Sequence, residues 1–123
     1  MPKDNLIQTK SFEFSLMIID LFRKLQIEKE FVISKQLLRS GTSIGANIEE
    51  AIAGQSRKDF IHKISISSKE ARETKYWLRL LHKSSITNLD VSKHLDEIQQ
   101  IINILTSIVK TSRENSKSKI HNS

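Results

Sequence analysis

The sequence predicts an all-α protein, folded as an up-down-up-down antiparallel four-helix bundle. Its 123 residues include one proline, at position 2, and three glycines, so few positions interrupt a helix. Apolar residues recur three and four positions apart through four segments, which is the period of helices that bury one face. The joints between these segments are short, and short joints make successive helices antiparallel neighbours.

One domain is expected over residues 11–110, between a flexible N-terminus at 1–10 and a flexible polar tail at 111–123. A chain of this length can bury a core without a metal or a disulfide. The absence of cysteine excludes thiol nucleophiles and zinc fingers and favours a reducing, cytoplasmic location. No run approaches the roughly 18 apolar residues that cross a bilayer, so we expect no membrane partner.

Helix 1 is predicted over residues 12–26, with Ser11 as its N-cap. Two apolar rows run along it and together cover a wide arc. The rows are Phe12, Leu16, Ile19 and Phe22, and Phe14, Ile18, Leu21 and Leu25. Such an arc predicts that helix 1 is buried on two sides.

Helix 2 is predicted to begin between residues 29 and 34 and to end near Ala53, with Gly54 as a left-handed cap. Within it, Gly41 and Gly45 each cost about 1 kcal/mol relative to alanine, so their presence indicates a close approach to another helix. The expected core seam has alternating four- and three-residue spacing. It consists of Leu37, Gly41, Ile44, Ile48 and Ala51.

A second row on helix 2 is polar and has short side chains. It consists of Gln36, Ser40, Ser43, Asn47 and Glu50. Hydrogen bonding to neighbouring helices is the favoured interpretation of this row. A small pocket for a ligand or partner is the alternative.

Helix 3 is predicted over residues 57–83, beginning with a capping box of Ser56 and Asp59. At 1.5 Å per residue it is on the order of 40 Å long. Its core seam again follows four- and three-residue spacing. The seam consists of Phe60, Ile64, Ser67, Ala71, Thr74, Leu78 and Leu81.

The excess positive charge lies on this third helix. Residues 57–85 hold eight basic and three acidic side chains, a net charge of +5, whereas residues 1–56 are neutral and residues 86–123 carry +1. The basic side chains, with Tyr76 among them and Arg57 at the margin, fall in one arc about 120° wide at the 100° helical period. The arc consists of Lys58, Lys69, Arg72, Lys75, Arg79 and Lys83.

Two interpretations of this arc stay open. Cations at this spacing match a phosphate backbone and would bind nucleic acid without reading its sequence. An ordinary solvated face is the alternative, although such faces usually intersperse both signs of charge.

Ile66, Trp77 and Leu80 form a separate narrow apolar strip on helix 3. A lone bundle would leave this strip facing water beside the core seam. Exposed apolar strips usually mark interfaces, so these residues are the predicted contact between copies of the chain.

Helix 4 is predicted to follow a second capping box, made by Thr87 and Asp90. It has the widest apolar stripe of the chain. The stripe consists of Val91, Leu95, Ile98, Ile102, Leu105 and Val109, with Ile101, Ile104 and Ile108 beside them.

The patterns of common catalytic sites are missing. No glutamate has a histidine three residues later, as di-metal bundles require, and the one aspartate–histidine pair at that spacing, Asp59 and His62, points away from the core seam. There is no zinc-protease motif, no phosphate-binding glycine loop and no nucleophile elbow. We therefore expect a protein that is not an enzyme and that uses no metal or cofactor.

Three stretches carry a family resemblance: residues 38–51, 55–63 and 69–78. They resemble the bacterial four-helix-bundle proteins encoded in intervening sequences of 23S ribosomal RNA genes, over roughly residues 10–110. The positions that match the family pattern are Arg39, Ser43, Asn47, Glu50, Lys69, Glu70, Glu73 and Trp77. The resemblance supplies no catalytic residues.

The resemblance also implies partners. Members of the family assemble into ring-shaped homopentamers, and a related protein, the accessory subunit of diversity-generating retroelements, engages nucleic acid and a reverse transcriptase. The leading hypothesis is therefore a cytoplasmic, non-enzymatic homo-oligomer that binds RNA or DNA through helix 3, with a reverse transcriptase or another processing protein as a further partner. The rival hypothesis is a structural or protein-interaction module without a nucleic-acid role.

Overall fold

A computed structural model describes the backbone of residues 2–121 and the side chains of residues 6–115. It contains four helices and, among the described residues, no strand. The helices are α1 (Pro2–Ile27), α2 (Ile33–Ala53), α3 (Arg57–Ser84) and α4 (Ser92–His121). Each helix packs against two others, in the cyclic order α1, α2, α3, α4, while the diagonal pairs stay apart. The predicted four-helix bundle is confirmed.

The seams predicted for α2 and α3 form the core, with residues of α1 and α4. Every member of the two seams is buried except Phe60, which is partly buried. Side chains from all four helices, such as Phe14, Ile48, Leu78 and Ile101, are almost inaccessible to water. No described helix combines the length and the apolar content that crossing a bilayer requires.

Helix α1 begins ten residues earlier than the sequence analysis predicts. It starts at Pro2, a residue that suits the first helical turn because it has no N–H to leave unpaired. Ser11 is not an N-cap: it is buried within the helix, and its hydroxyl donates to the Gln8 carbonyl at 3.1 Å. Ile7, which is 1% exposed, extends the buried row by another turn. This apolar contact accounts for a helix through residues that were expected to be loosely held.

Only one of the two apolar rows of α1 is buried in the bundle. Phe14, Ile18, Leu21 and Leu25 lie in the core. In the other row Phe12 is 63% exposed, Leu16 53% and Ile19 40%, so the prediction that α1 is buried on two sides is wrong for a single copy. We call these three residues the α1 strip.

The joint before α2 is closed by a buried carboxylate. Glu30 accepts hydrogen bonds from the backbone N–H groups of Val32, Ile33 and Ser34 at 3.1, 2.9 and 2.7 Å. Burial by itself raises the pKa of Glu30, but these backbone donors outweigh it and the pKa lies below 4.5. The start of α2 at Ile33 agrees with the predicted interval, and its end at Ala53 is as predicted.

Of the four predicted caps, Ser11, Gly54 and the box of Thr87 and Asp90 are wrong, and Ser56 is confirmed. Gly54 has an extended conformation with φ −66°, and the left-handed residues of the described chain are Lys29 and Ser85, at the ends of α1 and α3. The Ser56 hydroxyl accepts from the Asp59 N–H at 3.0 Å, as predicted for the start of α3.

The second capping box does not form. Thr87 accepts from the Leu89 N–H at 3.1 Å and donates to Glu28 at 2.8 Å, while Asp90 accepts from the Ser92 N–H at 2.9 Å. Helix α4 starts at Ser92, after Val91 has entered the core. It then continues to His121, past the predicted bundle boundary at 110, because neither glycine nor proline follows to interrupt it.

Candidate nucleic-acid interface

The flank of α3 that faces α2 is closed by small and hydroxyl-bearing residues. Ser67 donates to the Ile44 carbonyl at 2.9 Å, and Thr74 donates to the Ser40 hydroxyl at the same distance. Both bonds are buried, and they link α3 to α2. The small side chains allow the two helices to lie close together.

The polar row of α2 takes part in this structural bonding. Besides Ser40, Ser43 donates to the Arg39 carbonyl at 2.6 Å, Asn47 donates to the Ser43 carbonyl at 2.8 Å, and Glu50 lies 3.5 Å from the Lys63 ammonium. Gln36 is exposed. Ser43 and Asn47 therefore bond within α2, so the prediction that they bond to a neighbouring helix is wrong, whereas Ser40 and Glu50 do make contacts with α3.

The flank of α3 that faces α4 is open and basic. Arg72 reaches across it to the Thr106 hydroxyl at 3.5 Å, and the Lys75 ammonium donates to the Gln99 side-chain oxygen at 2.6 Å. Two cavities of about 590 and 310 Å³ lie along this flank, and Arg72 lines both. We call the two cavities together the α3–α4 groove.

Both helices supply cations to the groove. Lys69, Arg72, Lys75 and Arg79 line it from α3, as members of the predicted basic arc. Lys110 and Arg113 line it from α4. Glu114 is the acidic residue among the groove's described lining. A cleft lined mainly by one sign of charge concentrates the field that attracts ions of the opposite sign.

Two members of the basic arc lie outside these cavities. Lys58 and Lys83 are exposed near opposite ends of α3, and neither lines the groove. Another cavity of about 440 Å³ lies at the α2–α3 joint, but its walls are mostly neutral and Arg57 is its charged residue. The groove is therefore the better match to a phosphate backbone.

Sequence reasoning missed Lys110 and Arg113, since it ended the bundle at residue 110. The signal was the spacing on α4: the lining residues Gln99, Ile102, Thr106, Lys110 and Arg113 follow one another at three or four positions. That spacing keeps them on one face of a helix. A helix prolonged through residue 113 would have placed both cations opposite the arc on α3.

The Ile66, Trp77 and Leu80 strip is only partly accessible to water. All three side chains are partly buried, and Trp77 packs against the core. The Trp77 indole N–H also donates to the Glu73 carboxylate at 2.9 Å. Trp77 therefore has partners within its own chain, and the contribution of the three residues to a contact between copies stays a prediction.

Glu73 belongs to a polar cluster that joins α2 to α3. Arg39 on α2 forms ion pairs with Glu73 and, at 3.1 Å, with Glu70. The hydrogen bond from Trp77, aided by the Arg39 guanidinium, lowers the pKa of Glu73. The hydrogen bond to Glu73 and the charge of Glu70 raise the pKa of Arg39. Through Glu73, these contacts link Trp77 on α3 to Arg39 on α2.

The described residues contain no group of three or more histidine, cysteine or acidic side chains that could hold a metal ion. Ammonium and guanidinium groups such as those lining the groove can donate hydrogen bonds to phosphate oxygens. Fold and groove together define a helical-bundle protein with a cationic cleft.

Comparison with known proteins then assigns the family. The model of the 23S rRNA-intervening sequence protein family matches residues 3–107, and the chain belongs to this family. The resemblance found in the sequence is confirmed. The match begins at residue 3, in agreement with the early start of α1.

A solved structure extends the comparison. The crystal structure of a protein of unknown function from the S23 ribosomal protein family of Bacteroides thetaiotaomicron is 50% identical to this chain, with a TM-score of 0.83. The similarity covers 88% of this chain and 98% of the other. No curated protein matches the chain.

Proposed function

We propose that this protein is a non-enzymatic homo-oligomer that binds RNA or DNA by the phosphate backbone in the α3–α4 groove. The observation that carries the proposal is the composition of the groove, whose described lining includes six basic side chains from two helices and one carboxylate. A solvated surface would not require two helices to direct cations into the same cleft.

The mechanism is electrostatic neutralisation. Each phosphate that pairs with a lysine or arginine releases condensed counterions, and this release drives binding at low salt. Arg72 and Lys75 are already extended over the groove by their bonds to Thr106 and Gln99. Because these side chains are partly ordered before binding, less rotamer entropy is lost when they meet a phosphate.

Self-association is the second part of the proposal, and the α1 strip supports it. Phe12, Leu16 and Ile19 recur at four- and three-residue spacing and are 40–63% exposed. A row of this kind fits the apolar row of another helix, and the resemblance named above implies rings of identical copies. Assembly would bring several grooves together and would multiply the number of phosphates bound.

The nucleic-acid proposal predicts a salt-dependent affinity that Arg72→Gln/Arg79→Gln weakens. Log affinity for labelled RNA and DNA should fall with log salt by roughly 0.7–0.9 per phosphate contact, so the double variant should lower this slope by about 1.4–1.8. The measurement is fluorescence anisotropy at several salt concentrations from 50 mM upward.

Lys35→Gln/Lys93→Gln is the matched control, because it removes two exposed charges from residues that do not line the groove. It should bind with nearly the slope of the wild type. If both double variants weaken nucleic-acid binding equally, net charge alone is the cause. If the wild type does not bind at 50 mM salt, the interaction-module hypothesis is favoured.

The oligomer proposal predicts a sedimentation mass that is a multiple of the 14.2 kDa chain. Leu16→Gln should reduce that mass at micromolar concentration, because it places an amide in the middle of the α1 strip. Ile86→Gln, at a site of similar exposure in the α3–α4 connection, is the control. A wild type that sediments as a monomer would contradict self-association.

A further inference from the structure

The α3–α4 groove contains an exposed aromatic ring among its cations. Tyr76 is 53% exposed and lines the smaller cavity beside Arg72, Lys75 and Arg79. Charge attraction to phosphates does not call for an aromatic side chain. A nucleobase does, because every base has a flat π-face that stacks on an aromatic ring.

The ring of Tyr76 packs against the indole ring of Trp77. Its centroid lies 5.2 Å from that of Trp77, with an interplanar angle of 67°, an edge-to-face contact. Trp77 in turn is held by the core and by its bond to Glu73, which pairs with Arg39. This sequence of contacts limits the orientations of Tyr76 before a ligand arrives and lowers the entropic cost of stacking.

The polar side chain beside the ring, Gln99, already forms two hydrogen bonds. Gln99 accepts from Lys75 at 2.6 Å and donates to Asn103 at 2.9 Å. These two bonds fix the orientation of the amide beside the ring and use one of its two N–H donors and one of its two acceptor positions. Stacking on the ring of Tyr76 itself tolerates any base.

From these contacts we infer that the groove takes a single strand of nucleic acid, with one base stacked on Tyr76 and the neighbouring phosphates on the surrounding cations. Duplex bases are paired and stacked on one another, so a duplex presents its backbone to the groove and leaves Tyr76 without a base. The inference rests on the proposed function, and it narrows the ligand from any nucleic acid to an unpaired segment of RNA or DNA.

The test compares Tyr76→Ala with Tyr76→Phe. Removal of the ring should weaken binding of single-stranded oligo(U), oligo(dT) and mixed-sequence oligonucleotides by about 5- to 150-fold, the range that stacking of one base accounts for. Tyr76→Phe keeps the ring and should bind within about twofold of the wild type. Since no charge changes, the salt slope should be the same for all three proteins.

Matched duplexes of the same length provide the second arm. Their affinity should be lower than that of single strands and should not change in Tyr76→Ala. Trp77 is the single tryptophan of the chain and contacts Tyr76, so its fluorescence should change on binding single strands and change little with duplexes.

The outcomes separate this inference from the broader proposal. Salt-dependent binding that prefers duplexes, or that is equal in Tyr76→Ala and the wild type, would overturn the single-strand inference and leave the electrostatic function intact. Absence of binding by the wild type would overturn both. Far-UV circular dichroism of the variants checks their folding, which the exposed position of Tyr76 should preserve.

Discussion

The two flanks of α3 use similar residues for different purposes. Toward α2, the hydroxyls of Ser67 and Thr74 are buried and bonded across the helix interface. Toward α4, the hydroxyl of Thr106 and the amide of Gln99 meet long cations across open cavities. The comparison teaches that residue type alone does not assign a role to a serine or threonine at a helix interface, because the packing of the two helices decides whether the space between them is filled.

The largest expected effect is at Gly41, on the other face of α2, where this helix packs closely against α1. A Cβ there would lie 2.9 and 3.0 Å from the γ carbons of Ile18, whereas a Cβ on Gly45 would lie 3.4 Å from its nearest neighbour, the Ser11 hydroxyl. We expect Gly41→Ala to be less stable than Gly45→Ala by roughly 1–3 kcal/mol, since overpacking affects the first and the gain in helix propensity is common to both.

Urea denaturation at one fixed protein concentration measures this difference. Fixed concentration matters because self-association would contribute to apparent stability. Equal midpoints for the two variants would mean that α1 and α2 separate without cost, and the close approach at Gly41 would lose its structural role.

A second comparison is between the carboxylates at the starts of α2 and α4. The buried Glu30 carboxylate bonds three backbone N–H groups, whereas the exposed Asp90 bonds the N–H of Ser92. Glu30→Gln should therefore lower the free energy of unfolding by about 0.5–2 kcal/mol at neutral pH, the usual range for loss of a helix cap. Asp90→Asn, the matched change, should have the smaller effect.

The Glu30 effect should also depend on pH. Its folded pKa lies below the ordinary 4.5, so the unfolded chain takes up the proton first as pH falls. The stability that Glu30 contributes is complete above pH 4.5 and is lost below it, as pH passes through the folded pKa. Denaturation at pH 7, 5 and 3 should find the gap between wild type and Glu30→Gln narrowing at pH 3, and a constant gap would contradict this assignment.

The smallest expected effect contrasts a bonded hydroxyl with an unbonded one. Thr74 donates to Ser40, whereas the Ser65 hydroxyl, beside the groove, is buried without a hydrogen-bond partner among the described residues. Thr74→Val should cost about 1 kcal/mol, because it leaves a buried hydroxyl of Ser40 without this donor. Ser65→Ala should be neutral or stabilising by up to about 1 kcal/mol, since it removes an unsatisfied group. Thermal unfolding of both variants measures the signs, and destabilisation by Ser65→Ala would point to a partner for that hydroxyl.

Sequence periodicity was sufficient for the fold and for one wall of the groove. The four-three spacing identified the seams of α2 and α3, and the 100° period gathered Lys69, Arg72, Lys75 and Arg79 on one face. These features depend on a single helix, so one sequence window contains all the information they need.

The features that were missed depend on pairs of helices or on the joints. Lys110 and Arg113 become part of a groove only when α4 continues past residue 110 beside α3. Trp77 looked exposed by its angle on α3, yet α2 brings Arg39 and the core up to it. The start of α4 moved because burial of Val91 outweighed the pattern of Thr87 and Asp90.

The length of α4 has an evolutionary consequence. The family match ends at residue 107, while α4 continues to His121 and carries Lys110 and Arg113 as exposed side chains beyond that limit. Exposed positions tolerate substitution with little change in stability. Selection can therefore strengthen, weaken or reverse the charge of one wall of the groove while the bundle that the family shares is preserved.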